Sequence, residues 1–183
     1  MRSNIEKQVL VLFETVRDIP YGDIGSRNAW DVLTENRGTC SGKHSLLQLL
    51  LRLIGIKAKP MMCRATFNSL SCRLPEHLSS MLTSETIFDY HNFLKIYLDD
   101  WYIVDATFDM GLKKLGFIVN DTWNCKSDCR LAFQAEEIWE IEDFESSKKD
   151  AIARMSANDR NRRKQFLVDL NAWLNGFRQQ EIS

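Results

Sequence analysis

Apolar side chains recur at helical spacing at Ile5, Val9, Leu12, Phe13 and Val16, which predicts an amphipathic helix over residues 4–18, stopped by Ile19-Pro20-Tyr21-Gly22. Between Gly25 and Glu35 the placing of Trp30, Val32 and Leu33 suggests a short second helix, with Asn36-Arg37-Gly38 as the turn that leaves it. The strongest signal follows. From Ser45 to Ile54 the chain is apolar around most of a helical circumference, while Ser41, Ser45, Gln48 and Arg52 form one polar line. A helix of that kind belongs inside a domain, and Gly55 stands where a left-handed cap would end it.

Downstream the period shortens. Residues 58–67 read as a strand, and His91–Leu98 with Trp101–Asp105 read as an antiparallel hairpin around Asp99-Asp100. Between them Asn68–Asp89 is long and polar, with Leu74–Leu82 as a short helix. A connection of that length is more often a binding loop than a linker, so it is expected near the functional site. Further strands are expected around Gly116–Val119 and Glu137–Ile141, and Phe166, Leu167, Leu170, Trp173, Leu174 and Phe177 close the chain as a helix. Helices and antiparallel strands in separate blocks make an α+β fold.

Composition narrows the function classes. With 183 residues, 44% of them hydrophobic, and no Gly-, Ser- or Pro-rich linker, the chain is expected to form a single domain over 1–183. Lys and Arg total 24 against 25 Asp and Glu, which gives no long-range attraction to nucleic acid or an anionic membrane. The Arg160–Lys164 run lacks interleaved aromatics and reads as a solvated helix face. The amino terminus lacks the apolar core of a signal peptide, so a cytoplasmic protein is expected. Five cysteines are an odd number there, which favours reduced thiols over a disulfide framework.

Candidate chemistry centres on Arg37-Gly38-Thr39-Cys40, which delivers Cys40 to the first turn of the Leu-rich helix. Unpaired backbone N–H groups and the helix dipole favour a thiolate there. His91 and Asp105 supply a base and an orienting acid on neighbouring strands. Cys40 would then carry an acyl group as a thioester, released to water or an amine. The hairpin sets a condition: a strict two-residue loop at Asp99-Asp100 would place Asp105 opposite Leu94, on the face away from His91. A three-residue connection or a bulge restores both to one face, so a triad requires one of those irregularities.

The motifs Ala29-Trp30-Asp31-Val32-Leu33, Arg37-Gly38-Thr39-Cys40 with its helix ending Arg52-Leu53-Ile54-Gly55-Ile56, Tyr90-His91-Asn92-Phe93-Leu94, and Trp101-Tyr102-Ile103-Val104-Asp105-Ala106-Thr107 together resemble a transglutaminase-like domain of the papain-like cysteine hydrolase and acyltransferase superfamily. The resemblance spans 29–107. It implies a central helix bearing Cys40 packed on an antiparallel sheet bearing His91 and Asp105, and a Cys40 nucleophile acting on an amide-type bond of a protein, peptide or small amide. No metal or organic cofactor is implied. It also implies an oxyanion donor from the Cys40 N–H and an upstream side chain, for which Trp30 and Asn36 are candidates. Two departures stand out: Asn92-Phe93 replaces the common Ala-Trp after the histidine, and His44 replaces a small residue one turn from Cys40.

These departures keep a rival in view, a non-catalytic binding or scaffolding module on the same fold. His44 is a candidate for tuning the thiolate or serving as a rival base, although a helix-face histidine bonded to a nearby loop is the plainer reading. Asp109 is a second candidate acid, and by default a turn residue. Cys125 and Cys129, with Cys63, Cys72 or His77, would be the start of a zinc site; the absence of a second close-spaced pair argues against it.

Overall fold

The computed structural model describes residues 3–182. Helix α1 (Asn4–Asp18) is closed at its head by a capping box between Ser3 and Glu6, α2 (Ala29–Glu35) is capped by the Asn28 side chain, and α3 runs Cys40–Leu53. Gly55 takes φ +80° just beyond α3, the left-handed stop anticipated above. Strand β1 (Lys57–Thr66) leads through a 3₁₀ turn at Phe67–Ser69 to α4 (Glu76–Ser84), then to β2 (Phe88–Tyr97) and β3 (Trp101–Val104). A 3₁₀ segment (Met110–Leu115), β4 (Glu137–Glu140), α5 (Phe144–Ala153) and α6 (Ala157–Ile182) complete the chain. No helix among the described residues is long and apolar enough to cross a membrane.

The four strands form one antiparallel sheet in the order β3-β2-β1-β4. Alternation of side chains divides its core in two. Ala58, Leu94, Ile96 and Val104 join Leu46, Leu47 and Leu51 of α3 and Val9 and Phe13 of α1. Met61, Cys63, Ala65 and Phe93 join Phe166, Leu170 and Leu174 of α6 and Leu78 of α4. The first group explains the Leu-rich run as the face of α3 that seats on the sheet.

The hairpin meets the geometric condition. Tyr97 pairs with Trp101 and Leu94 with Val104, so Leu98, Asp99 and Asp100 make a three-residue connection, with the Leu98 N–H donating to the Asp100 carbonyl at 3.0 Å. Continued one step, that register sets Asp105 opposite Phe93, on the face that carries His91.

One expectation fails here and another holds only in part. Residues 116–119 form no strand: Gly116 takes φ +90° to end the 3₁₀ segment, and Phe117 buries in the core without a ladder partner. The Asn68–Asp89 connection meets the site only at its end, where Asp89 lines the cavity at Cys40. Leu78 is fully buried and α4 packs on α6, so the segment spends its apolar residues on the core.

Close packing at the head of α3 explains two glycines. A Cβ on Gly42 would lie 2.7 Å from the Val32 Cγ2 methyl and one on Gly38 2.9 Å from the same methyl, and Val32 is itself wholly buried. Gly42→Val is therefore expected to lower unfolding free energy by about 1–3 kcal/mol, as overpacking does, measured by denaturant titration against the unsubstituted chain.

Candidate active site

Cys40 is the first residue of α3, and Thr39 in the capping position makes no side-chain cap bond, so no side chain there competes for the first-turn N–H groups. The head of α3 meets the half of β2 that runs beyond the end of β3. There Ser41 Oγ donates to Asn92 Oδ1 at 2.8 Å, and Asn92 Nδ2 reaches the Met61 carbonyl at 3.3 Å. The departure from a small residue at position 92 thus ties α3 to β2 and β1, next to Cys40.

His91, also fully buried, uses Nε2 toward Asp105 Oδ2 at 2.8 Å. Its Nδ1 has no hydrogen-bond partner among the described residues, and the imidazole interacts with the Cys40 thiol. Asp105 is held from several directions: the Ala132 N–H donates to Oδ2 at 2.7 Å and the Thr107 N–H to Oδ1 at 3.0 Å, while Asn120 Nδ2 donates to its carbonyl at 2.9 Å. Cys40, His91 and Asp105 therefore lie together in the order thiol, imidazole, carboxylate.

Their charges follow from this company. Burial alone would raise the Cys40 thiol, but the Lys148 ammonium and then His91 overcome it and bring the pKa to about 6. Burial would depress His91, but Asp105, followed by the Cys40 sulfur, lifts it to about 9. Burial likewise opposes ionisation of Asp105, yet His91 holds it well below the usual carboxylate range. Between about pH 6 and 9 Cys40 and His91 stand as a thiolate–imidazolium pair. Cys63 and Cys72 move the opposite way, each pushed up by burial to about 12.

His44 is neither base nor cation. The Ala106 N–H donates to its Nε2 at 2.9 Å, so Nδ1 carries the proton and donates to the Cys40 carbonyl at 2.7 Å. Burial lowers its pKa to about 4. The ring is a strut between the head of α3 and the residue after Asp105. His44→Ala is expected to cost about 2–4 kcal/mol, since two buried backbone groups lose their partner and a cavity opens. Because its folded pKa lies below the unfolded value, the His44 contribution is complete above the unfolded value of about 6.5 and is lost as pH falls through 4. Denaturation midpoints across that range check both statements.

The oxyanion candidates do not reach the site. Trp30 is 66% exposed on α2, and Asn36 is an exposed left-handed C-cap at φ 45°. Asp109 is not a second acid for His91: it accepts from the Tyr21 N–H at 2.8 Å and from Arg178 Nη2 at 2.7 Å, joining the 20–22 segment to α6. Cys125 and Cys129 are buried in the α1 side of the core, and among the described residues no three His, Cys, Asp or Glu side chains converge to hold a metal. The basic run is only partly a solvated face, because Arg163 Nε bonds Asp89 Oδ1 at 2.6 Å and Arg162 Nη2 bonds Glu85 Oε1 at 2.6 Å.

Several residues beyond the predicted triad surround the sulfur. A cavity of about 140 Å³ at Cys40 is lined by Tyr21, Arg27, Thr39, Asp89, Lys148 and Arg163 among others. Cys40 itself is 4% exposed, so this cavity is its approach from solvent. A second, wider groove of about 890 Å³, walled by Tyr90, Trp139 and Arg154, shares Asp89 with it. Tyr21 is brought to the site by its bridge to Gly38, just ahead of Cys40.

A helix-borne cysteine and a strand-borne histidine on an antiparallel sheet, with an aspartate just past the end of the neighbouring strand, define the papain-like α+β class. Within that class the transglutaminase-like superfamily model matches residues 3–106, more than half of the chain, and the chain belongs to that superfamily, one of cysteine-dependent enzymes. Among solved structures it is similar to a candidate cysteine protease from Cytophaga hutchinsonii, at 25% identity and a TM-score of 0.40, over 63% of this chain and 35% of that one. It is also similar to the arylamine N-acetyltransferase of M. smegmatis, at 18% identity and a TM-score of 0.39, over 59% and 41%. The likeness thus spans well under half the length of either structure. No curated protein matches the chain.

Proposed function

We propose that this chain is a cysteine-dependent hydrolase or acyltransferase that opens an amide-type bond through a thioester on Cys40, with residues 1–183 acting as one domain. The observation that carries this reading is the Cys40–His91–Asp105 arrangement at the head of α3, with a thiol lowered to about 6 beside an imidazole raised to about 9.

In this mechanism the Cys40 thiolate attacks the carbonyl carbon, a C–S bond forms, and the carbonyl electron pair moves onto oxygen, where α3 N–H groups stabilise it. Collapse expels the amine, which takes its proton from the His91 imidazolium. The neutral imidazole then removes a proton from water or an acceptor amine as that group attacks the thioester, and the thiolate leaves. Asp105 keeps the ring oriented throughout. The small cavity admits a compact acyl group, while the groove adjoining at Asp89 gives room for a peptide or protein donor.

Intact-mass measurement after exposure to a panel of electrophilic acyl donors tests this. One acyl group on Cys40 is expected, absent in Cys40→Ala; no adduct with any donor would overturn it. The rival, a binding module without turnover, draws on the near-complete burial of Cys40 and expects that empty result.

A further inference from the structure

Helix α5 lies outside the segment matched by the superfamily model, yet it sends one side chain to the nucleophile. Its buried face is Phe144, Lys148 and Ala151, an i, i+4, i+7 stripe in which the middle position is a lysine. A lysine buried in such a stripe is costly unless its charge is answered. The Lys148 side chain is 5% exposed, and its Nζ lies 3.7 Å from Cys40 Sγ and 3.7 Å from Asp89 Oδ2. Asp89 is in turn bonded by Arg163 Nε of α6 at 2.6 Å, with both side chains nearly buried.

We infer that Lys148 is a second cationic partner of the Cys40 sulfur, a catalytic residue that holds the nucleophile as thiolate jointly with His91 and is itself positioned by the Asp89–Arg163 pair. Charge balance in the buried cluster supports this. With His91 protonated, the cations are His91, Lys148 and Arg163 against the two anions Asp89 and Asp105, so the cluster is neutral when Cys40 is ionised and carries an excess positive charge when it is not. The other groups facing the sulfur do not change this count. Asp23 and Arg27 across the cavity are of opposite sign, Tyr21 is pushed toward its neutral form by burial and Cys40, and Cys63 on β1 stays a thiol. Asp89, buried and paired with Arg163 and Lys148, stays ionised.

The inference rests on Cys40 being the nucleophile, but its test needs no substrate. The rate of Cys40 alkylation by iodoacetamide is followed against pH in the full chain, in Lys148→Met and in Lys148→Arg. The midpoint is expected to rise by about one pH unit or more in Lys148→Met, as loss of an adjacent opposite charge does, and to be largely restored in Lys148→Arg. A midpoint unmoved in Lys148→Met would overturn the inference. If Lys148→Met does not fold, the unsubstituted protein decides: the ¹⁵N resonance of Lys148 Nζ is expected to move as Cys40 ionises and to lose that step once Cys40 is alkylated. A resonance indifferent to Cys40 would overturn it. A chain that never accepts an acyl group but shows the Lys148→Met shift would end the proposed function and the catalytic role with it, and would leave Lys148 as a cationic partner of the Cys40 thiolate alone.

Discussion

His91→Ala is expected to slow acylation of Cys40 about a hundredfold to ten-thousandfold near neutral pH, the range that a positioned general acid–base supplies. Two losses combine. The thiol loses a hydrogen-bonded cation that holds it down, and the expelled amine loses its proton donor. Lys148 remains in that variant, so Cys40 should keep part of its acidity. The expected signature is a large fall in acylation rate with a smaller upward shift in the alkylation midpoint, read by stopped-time mass spectrometry and by iodoacetamide labelling. Equal losses in both would mean that His91 serves the sulfur's charge alone.

Asp105→Ala carries the second large effect, and it touches stability as well as rate. The carboxylate accepts from His91, Ala132 and Thr107, so its removal leaves an imidazolium and two buried N–H groups unanswered. A loss of about 3–5 kcal/mol is expected, the usual cost of breaking a buried pair from one side, with acylation falling at least a hundredfold in the fraction that folds. The pH dependence has a definite sign. Asp105 is depressed in the folded chain, so its contribution is present above the unfolded value of about 3.9 and is lost as pH falls below it. His91 is raised, so its contribution is complete below about 6.5 and is lost as pH rises through 9. Cys40 is depressed, so its contribution is complete above about 8.5 and lost as pH falls through 6. Urea midpoints for the parent chain and Asp105→Ala should converge in acid, and a gap that stays constant from pH 3 to 7 would contradict the assignment.

Much of this site was legible in residue order because its parts are local. Cys40 was marked by the turn and apolar helix around it, and the pairing of His91 with Asp105 reduced to counting residues in a loop, which the three-residue connection at 98–100 satisfies. What was illegible lies in long-range placement. Trp30 looks like a site aromatic beside the cysteine motif, but α2 turns it to solvent so that Val32 can pack on Gly38 and Gly42. Arg163 reads as one more solvated charge until α6 folds back onto Asp89. Helix α5 was hidden within an acidic stretch. Its signals were an Asp143 cap, accepting from the Glu145 and Ser146 N–H groups, and a Phe144–Lys148–Ala151 stripe that the lysine interrupts in sequence.

The role of residue 44 shows the same limit. Spacing put a histidine one turn from the nucleophile, and only the donor at Ala106 shows that its Nε2 is occupied and its charge absent. Asn92 was likewise visible only as a departure, and its bonds to Ser41 and Met61 give it a structural reason.

The most direct measurement of the central claim, that Cys40 stands as a thiolate beside His91 and Lys148, is the pH dependence of alkylation at each of the five cysteines, resolved by peptide mass spectrometry. The account predicts that Cys40 reacts first, with a midpoint near 6, while Cys63 and Cys72 stay unreactive into alkaline solution. A Cys40 midpoint at the ordinary thiol value of about 8.5, or five thiols labelled at one slow rate, would contradict it.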